Sequence, residues 1–421
     1  MFDIDQFYSA AIEGKPFNLQ EVVTYLKSCK NLVLWGAGNC GTQIGEKLTS
    51  LGIEITCFWD RRAAEICDIN GIKVLPTFTG GFLPEETLVI TCITNGSLGD
   101  DTWQIRELVQ NEYINYLQGI RLYEALVCPF RKGDKLIHEV CLNNSICSMC
   151  NCKRYMDMIP RRQYNDGREI IIQVVTVILT RACTLSCKNC GQRTGDYPKE
   201  VRSVFPDINS MKHDYDNFME NVDAVGMVSI IGGEPFLHPD IVEFAQHCLK
   251  YEHFGALNIT TNGVCKITED MLTKLKNPRL KITFSDYTQF LTEKQKELFN
   301  RNIDKVKSAG INMGIGVPIW SMPGDIERFD YSEDYMTTRK ASCRSIELCS
   351  TIVDGHFVPC TLAEVTRGLK ILDFPEDYVD LSSDENLRDR IYNCFNKEYY
   401  ETCRYCTNID GKLIPAGEQR C

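Results

Sequence analysis

Polar and apolar positions along this chain fall into two regimes of strand and helix, separated by a stretch that follows neither period. In the first regime, 31–35 is an apolar run, 42–51 has helical spacing, and 53–59 is a second strand ending at Asp60. Short strands are expected over 71–76 and 87–93, with a helix over 101–110. These make a small open parallel sheet without the second half of a dehydrogenase domain. The second regime starts at 170, with strands over 171–180, 227–231, 256–261, 280–285 and 311–319. Helices over 214–222, 239–251, 269–276 and 293–308 separate them. Repeated β-α units predict an α/β fold with a parallel sheet, open or curled into a barrel. Beyond about 335 the chain reads as irregular, with only short helical pieces. The expected divisions are 1–125, a bridge over 126–169, a core over 170–335 and a tail domain over 336–421.

Composition adds one outlier to an ordinary picture. Of 421 residues, 43% are hydrophobic and 24% charged, which excludes a disordered chain and supplies several cores. A net charge of -11 argues against a nucleic-acid partner. No run of 18 apolar residues is present, and the opening residues lack the apolar stretch of a signal peptide, so no membrane span is expected. The outlier is cysteine, at 22 residues. In a long, acidic, unsignalled chain that count implies metal rather than disulfides, and a reducing, cytoplasmic setting. Five cysteines lie between 128 and 152, three between 183 and 190, and seven between 343 and 421.

Two motifs follow strands. After 31–35 comes Gly36-Ala37-Gly38-Asn39-Cys40-Gly41, which opens a helix and meets Asp60 on the next strand. That is the form of a dinucleotide fingerprint: glycines for the turn, a helix N-terminus for a phosphate, an acid for a ribose hydroxyl. Gly36, Gly38, Gly41 and Asp60 are therefore candidate nucleotide contacts. The plainer reading is a glycine turn that packs a helix on a strand and binds nothing. After 171–180 come Cys183, Cys187 and Cys190, spaced Cx3Cx2C. Three thiolates hold three irons of a cubane and leave the fourth open, whereas a structural zinc site wants four ligands. A loop just past a barrel strand also faces the end where such folds place their chemistry.

From this motif onward the sequence resembles the radical S-adenosylmethionine (SAM) superfamily. Gly232-Gly233-Glu234-Pro235 matches the family's GGEP after the second strand, and Thr260-Thr261-Asn262-Gly263 and Ser285-Asp286-Tyr287 end the next two. Gly314-Ile315-Gly316 lies in the fifth. The resemblance implies a partial (β/α)6 TIM-like barrel, a [4Fe-4S] cluster on the three cysteines, and bound S-adenosylmethionine. It assigns the cofactor's amino group to Gly232, Gly233, Glu234 and Pro235. Its carboxylate and ribose fall to Thr261, Asn262, Ser285 and Asp286, and its adenine to Gly314 and Gly316. One position departs from the family: the residue before the third cysteine, usually aromatic, is Asn189. The implied chemistry is reductive cleavage of the sulfonium and hydrogen abstraction by a 5′-deoxyadenosyl radical, with flavodoxin or ferredoxin as electron donor.

The tail resembles the shortened SPASM domain called twitch, which carries one auxiliary [4Fe-4S] cluster. Cys343, Cys360, Cys403 and Cys406 are the implied ligands, with Cys349 the alternate for the first and a zinc knuckle the competing reading. Cys394 and Cys421 are expected as free thiols or alternates, and Cys141, Cys147, Cys150 and Cys152 as a further candidate metal group. The first regime resembles nucleotide-binding, Rossmann-like modules on bacterial sugar-modifying enzymes. The expected substrate is thus a small molecule, a carbohydrate in free or nucleotide-linked form, undergoing epimerisation, oxidation or dehydration. Cys265, just past Asn262-Gly263, is the candidate hydrogen donor for an epimerisation, beside its plainer role as a buried thiol. The alternatives are a peptide- or protein-modifying radical enzyme and a non-catalytic, metal-stabilised nucleotide-binding scaffold.

Overall fold

Strands that are covered on both faces need unbroken apolar runs, and the strand Asn31–Trp35 (β1) is such a run, with four of its five residues buried. A computed structural model describes residues 6–7, 10, 18–93, 102–127, 156, 159–316, 319–321, 326–341, 343, 346, 349–406 and 413–420. The chain divides into two compact units, Met1–Ile137 with Asn144–Met158, and His138–Asn143 with Ile159–Cys421.

In the first unit β1 is joined by Cys57–Trp59 (β2), Asp68–Ile69 (β3), Ile72–Leu75 (β4), Thr87–Thr91 (β5) and Tyr116–Gln118 (β6), in the order β3-β4-β2-β1-β5-β6. All neighbours are parallel except β3 with β4. One face packs Leu34, Phe58 and Ile90 against helix residues Leu26, Ile44 and Leu122. The other gathers Trp35, Trp59, Val89, Leu108 and Tyr113. The glycine turn brings the helix Asn39–Ser50 close to β1: a Cβ on Gly41 would stand 1.9 Å from the Gly36 carbonyl oxygen.

The second unit contains the strands Ile171–Thr180 (β7), Ala224–Gly232 (β8), Phe254–Thr261 (β9), Leu280–Ser285 (β10), Asn312–Gly316 (β11), Ile319–Ser321 (β12), Ser350–Val353 (β13), His356–Val358 (β14), Val379–Asp380 (β15) and Leu413–Pro415 (β16). Its large sheet runs β11-β10-β9-β8-β7-β13-β14-β15, parallel from β11 to β13. The five strands β7–β11, with helices between them, form the wall of a partial (β/α) barrel. Val177, Val228, Leu257, Ile282 and Phe284 join Phe218, Phe244 and Phe299 of those helices in one core. The helix Glu293–Ser308 starts on a capping box between Thr292 and Gln295.

Residues alternate across a strand, so the positions between these core residues face the other side. There the register aligns Thr176, Ser229, Asn258, Lys281 and Asn312 in one polar row across all five strands. The Thr283 hydroxyl donates to the Asn258 carboxamide oxygen at 2.7 Å, and the Asn258 Nδ2 donates to Thr260 at 2.9 Å and Ser229 at 3.3 Å.

Two sequence expectations change. The fifth strand is not continuous over 311–319: β11 stops at Gly316, and β12 turns away to pair antiparallel with β16. Past 335 the chain is not purely helical and irregular, because β13–β15 extend the barrel sheet from its β7 edge. β13 and β14 meet at Asp354 and Gly355, both at positive φ, as a two-residue hairpin turn requires.

Candidate active site

The ends of β7 and β8 build the cysteine loop. Where β7 ends, the Gly233 N–H donates to Thr180 at 2.7 Å and the Glu234 N–H to Ala182 at 2.7 Å, so β8 guides the chain into Cys183. No side chain fits this approach. A Cβ on Gly232, at φ +142°, would meet the Thr180 oxygen at 2.2 Å, and one on Gly233 the Ala182 oxygen at 2.1 Å. The two glycines therefore hold the start of the cysteine loop.

Glu234 serves the same junction with its side chain. It is fully buried, and its carboxylate accepts from the Thr261 hydroxyl at 2.8 Å, the Asn262 N–H at 2.8 Å and the Phe236 N–H at 3.1 Å. Burial pushes its pKa up while these donors pull it down. The side chains of Glu234 and Thr261, both expected at the cofactor, tie β8 to β9 here. Thr261 also accepts from the Gly263 N–H at 2.9 Å. Pro235 starts the buried turn after Glu234. Cys265 lies in the helix-side core with its thiol on the same Glu234–Thr261 pair, and burial raises its pKa far above the ordinary thiol value. It packs there as a buried thiol.

Asn262 reaches the loop directly. Its carboxamide oxygen accepts from Val264 N–H at 2.8 Å and from the Thr184 hydroxyl at 3.2 Å, and its Nδ2 points at Cys183 Sγ, 3.6 Å away. Asn189 has φ +53°, a left-handed conformation that Asn tolerates better than an aromatic residue. Asp286 accepts from Thr288 at 2.9 Å and 2.6 Å, and its N–H joins Gly316 at 2.7 Å. Ser285 hydrogen-bonds the Tyr287 hydroxyl. The two glycines of β11 differ: Gly314 is covered by the Lys281 stem, 2.9 Å from where a Cβ would stand, whereas Gly316 borders open space. Only Gly316 leaves room beside it for the expected adenine.

A segment that the sequence reading passed over completes the loop. Residues 417–420 pair with it antiparallel through Cys187 and Gln419, with Lys188 N–H on Glu418 O at 2.6 Å and Arg420 N–H on Ser186 O at 2.7 Å. Arg181, two residues before Cys183, was missed too. It pairs with Asp354 at 2.7 Å and 3.0 Å and stacks on Tyr197, tying the loop to the β13–β14 turn.

The donor set fits an iron-sulfur cluster. Cys187 and Cys190 stand near enough to Cys183 to add to the rise in its pKa, and burial pushes Cys183 up to about 12. Yet among the described residues no three Cys, His, Asp or Glu side chains converge on one ion. A single zinc would need sulfurs about 3.8 Å apart, from its 2.3 Å bonds and tetrahedral angles. Cys343 and Cys406 stand near both Cys360 and Cys403 and add to the rise in their pKa values, burial pushing Cys403 up to about 11. Cys349 lies beside Cys343 and Thr361. Arg339, in contact with Cys406, and Lys340 bring positive charge to this group. Cys394 is buried near Lys340. Cys141, Cys147, Cys150, Cys152 and Cys421 lie outside the described residues.

In the first unit Asp60 is buried just past the end of β2. Its carboxylate accepts from the Ala37 N–H at 2.8 Å and from Arg62 at 2.9 Å and 3.2 Å, which holds its pKa low despite burial. It ties the glycine turn to β2. Gly36 and Gly41 are close-packing positions, and only Gly38 faces open space.

Residues 177–327 match the Radical SAM superfamily. Over 266 residues, 58% of this chain and 81% of the other, the sequence is 25% identical to GTP 3',8-cyclase of Aquifex aeolicus. A shorter stretch of 116 residues, 27% of this chain, is 31% identical to the same enzyme of Lactiplantibacillus plantarum, spanning 31% of its length. Among solved structures, BtrN in complex with AdoMet and 2-DOIA aligns with 56% of this chain and 85% of its own, at 12% identity and TM-score 0.33. Streptococcus suis SuiB bound to S-adenosylmethionine aligns with 47% and 43%, at 18% identity and TM-score 0.26. Among the described residues no helix is long and apolar enough to cross a membrane. Residues 177–327 thus form a radical SAM domain, and the chain is an enzyme that uses a [4Fe-4S] cluster and S-adenosylmethionine.

Proposed function

We propose that Cys183, Cys187 and Cys190 hold the cluster, and that the enzyme acts on a phosphorylated or nucleotide-linked carbohydrate lying against the polar row. Gly232, Gly233, Asn262, Ser285, Asp286 and Gly316 border the place for S-adenosylmethionine. Bound there, the cluster and S-adenosylmethionine supply a 5′-deoxyadenosyl radical. The chain's own part is position and the exclusion of water.

One observation carries the substrate reading. Thr176, Ser229, Asn258, Lys281 and Asn312 form one row, in register, on the face opposite the hydrophobic core. Hydroxyl and carboxamide groups suit sugar hydroxyls, while the Lys281 ammonium, on a side chain only 5% exposed, suits a phosphate oxygen. The similarity to GTP 3',8-cyclase also agrees with an anionic nucleotide portion. Because Cys265 is shut into the core, oxidation or dehydration fits better than an epimerisation that uses it. We further assign one auxiliary [4Fe-4S] cluster to Cys343, Cys360, Cys403 and Cys406, a flavodoxin or ferredoxin as donor, and the reducing cytoplasm as setting.

The test is made on anaerobically reconstituted protein offered nucleotide-linked sugars, sugar phosphates and free sugars. Substrate-dependent 5′-deoxyadenosine is expected with a phosphorylated member. Lys281→Met should raise KM for that substrate about tenfold or more, the loss of one buried charge contact, while slow substrate-free cleavage persists. Turnover of peptides but no carbohydrate would replace the substrate reading. Bound zinc with no cleavage would remove the cluster assignment.

A further inference from the structure

The Gln419 carboxamide makes three contacts, and together they fix which end is nitrogen. Its oxygen accepts the Ser186 N–H at 2.9 Å. The nitrogen must then face the other way, where it donates to the Gly417 carbonyl at 2.6 Å and to Cys187 Sγ at 3.3 Å. A flipped amide would set an NH2 against a backbone N–H and an oxygen against a carbonyl. The donor to sulfur is thus dictated by backbone partners on both sides.

The segment holding Gln419 is anchored along its length. It leaves β16, which is paired with β12 beyond the last barrel strand. Gly417, at φ +93°, lies against the Tyr287 ring, where a Cβ would stand 2.5 Å from the nearest ring carbon. Two ladder bonds and the Lys188–Glu418 pair at 2.7 Å then fix it to the cysteine loop. Arg420 reaches Asp196, beyond the third cysteine, at 2.6 Å. The strap runs from the β12 side, over Tyr287 just past β10, to the loop that follows β7.

We infer that Gln419 is a positioning residue that tunes the reduction potential of the radical SAM cluster through an N–H···S bond to Cys187. This rests on Cys187 being a cluster ligand. Donors to ligand sulfur stabilise the more negative, reduced cluster and raise its potential. Asn262 offers Cys183 a longer contact of the same kind, at 3.6 Å.

The experiment compares holoenzymes reconstituted from wild type, Gln419→Leu, Gln419→Glu and Glu418→Gln. EPR-monitored redox titration is read on the signal that changes when S-adenosylmethionine is added, which separates this cluster from any other. Iron content is measured in parallel. Gln419→Leu removes the donor, and Gln419→Glu also places a carboxylate beside the sulfur. The expected result is a lower midpoint potential in both, by threefold to tenfold in the reduction equilibrium; tenfold is about 59 mV for one electron. Gln419→Glu should fall further than Gln419→Leu. Glu418→Gln loosens the same strap through an exposed ion pair and keeps the donor, so its potential should match wild type. Equal potentials across all four fully loaded proteins would overturn the inference. So would a Glu418→Gln shift as large as the Gln419 shifts, since strap geometry alone would then explain them. A wild type with no S-adenosylmethionine-responsive signal would instead remove the ligand assignment beneath it.

Discussion

Glu364 is a carboxyl with almost no access to water, 3% exposed, on the helix Thr361–Gly368 behind Arg181. Burial raises its pKa from 4.5 to about 7, against the opposing pull of Arg181. Below the ordinary carboxyl value it is protonated in both the folded and the unfolded chain. As pH climbs, the unfolded chain releases the proton first and the folded chain holds it until about 7, so folding stability falls across that interval. At about 1.4 kcal/mol per pKa unit the loss is roughly 3 kcal/mol. Glu364→Gln has no proton to release. Its stability relative to wild type should therefore rise between pH 4.5 and 7 and level off above, as read from urea midpoints at a series of pH values. A difference that stays flat with pH would show that Glu364 ionises normally in the fold. No local pattern marks this residue, because its shift comes from burial in the folded chain, opposed by Arg181 from 183 positions away.

At the scale of elements, the meeting of β7 and β8 decides whether the cysteine loop forms. Gly233→Ala would press a methyl group into the Ala182 carbonyl, with no flexible side chain to give way. The strand ends would have to part, and with them the Gly233–Thr180 and Glu234–Ala182 hydrogen bonds that deliver Cys183. We predict that Gly233→Ala loses the cluster's iron and all cleavage of S-adenosylmethionine while far-UV circular dichroism stays near wild type, since the strain is local. Wild-type iron content in this variant would mean that the loop is held mainly by other contacts. The barrel was readable because its strands are apolar runs between helical spacings, and Ile171–Thr180 and Leu280–Ser285 match the expected bounds. The fifth strand was drawn too long because apolar residues continue to Ile319, while the break at Gly316 is set by the pairing of β12 with β16. The β13–β14 hairpin was legible in principle, since Asp354-Gly355 between alternating apolar residues is a strong turn signal. The density of cysteines around it drew the reading toward an irregular segment. The strap at 417–420 left no local signal at all, because it acquires its meaning only when it pairs with a loop more than two hundred residues away.

At the scale of the whole molecule, cysteine count and cluster count need not agree, and iron stoichiometry tells which cysteines matter. Several thiols are plain core residues: Cys57 and Cys248 are buried among apolar neighbours, and burial pushes Cys57 to about 12. Both pack as small apolar residues inside a hydrophobic core. Among the described cysteines two sets lie together, Cys187 and Cys190 near Cys183, and Cys343, Cys403 and Cys406 near Cys360. Two four-iron clusters would give about eight irons per chain. The variant with Cys183, Cys187 and Cys190 all changed to Ala should keep about four irons and lose all 5′-deoxyadenosine formation. Changing Cys343, Cys360, Cys403 and Cys406 to Ala should leave the complementary four, with the S-adenosylmethionine-responsive EPR signal intact. Wild type with about twelve irons would bring Cys141, Cys147, Cys150 and Cys152 into the count as a third cluster. Wild type with about four, all lost with Cys183, Cys187 and Cys190, would reduce the second group to structural thiols and leave Arg339 and Lys340 without an anionic centre to serve.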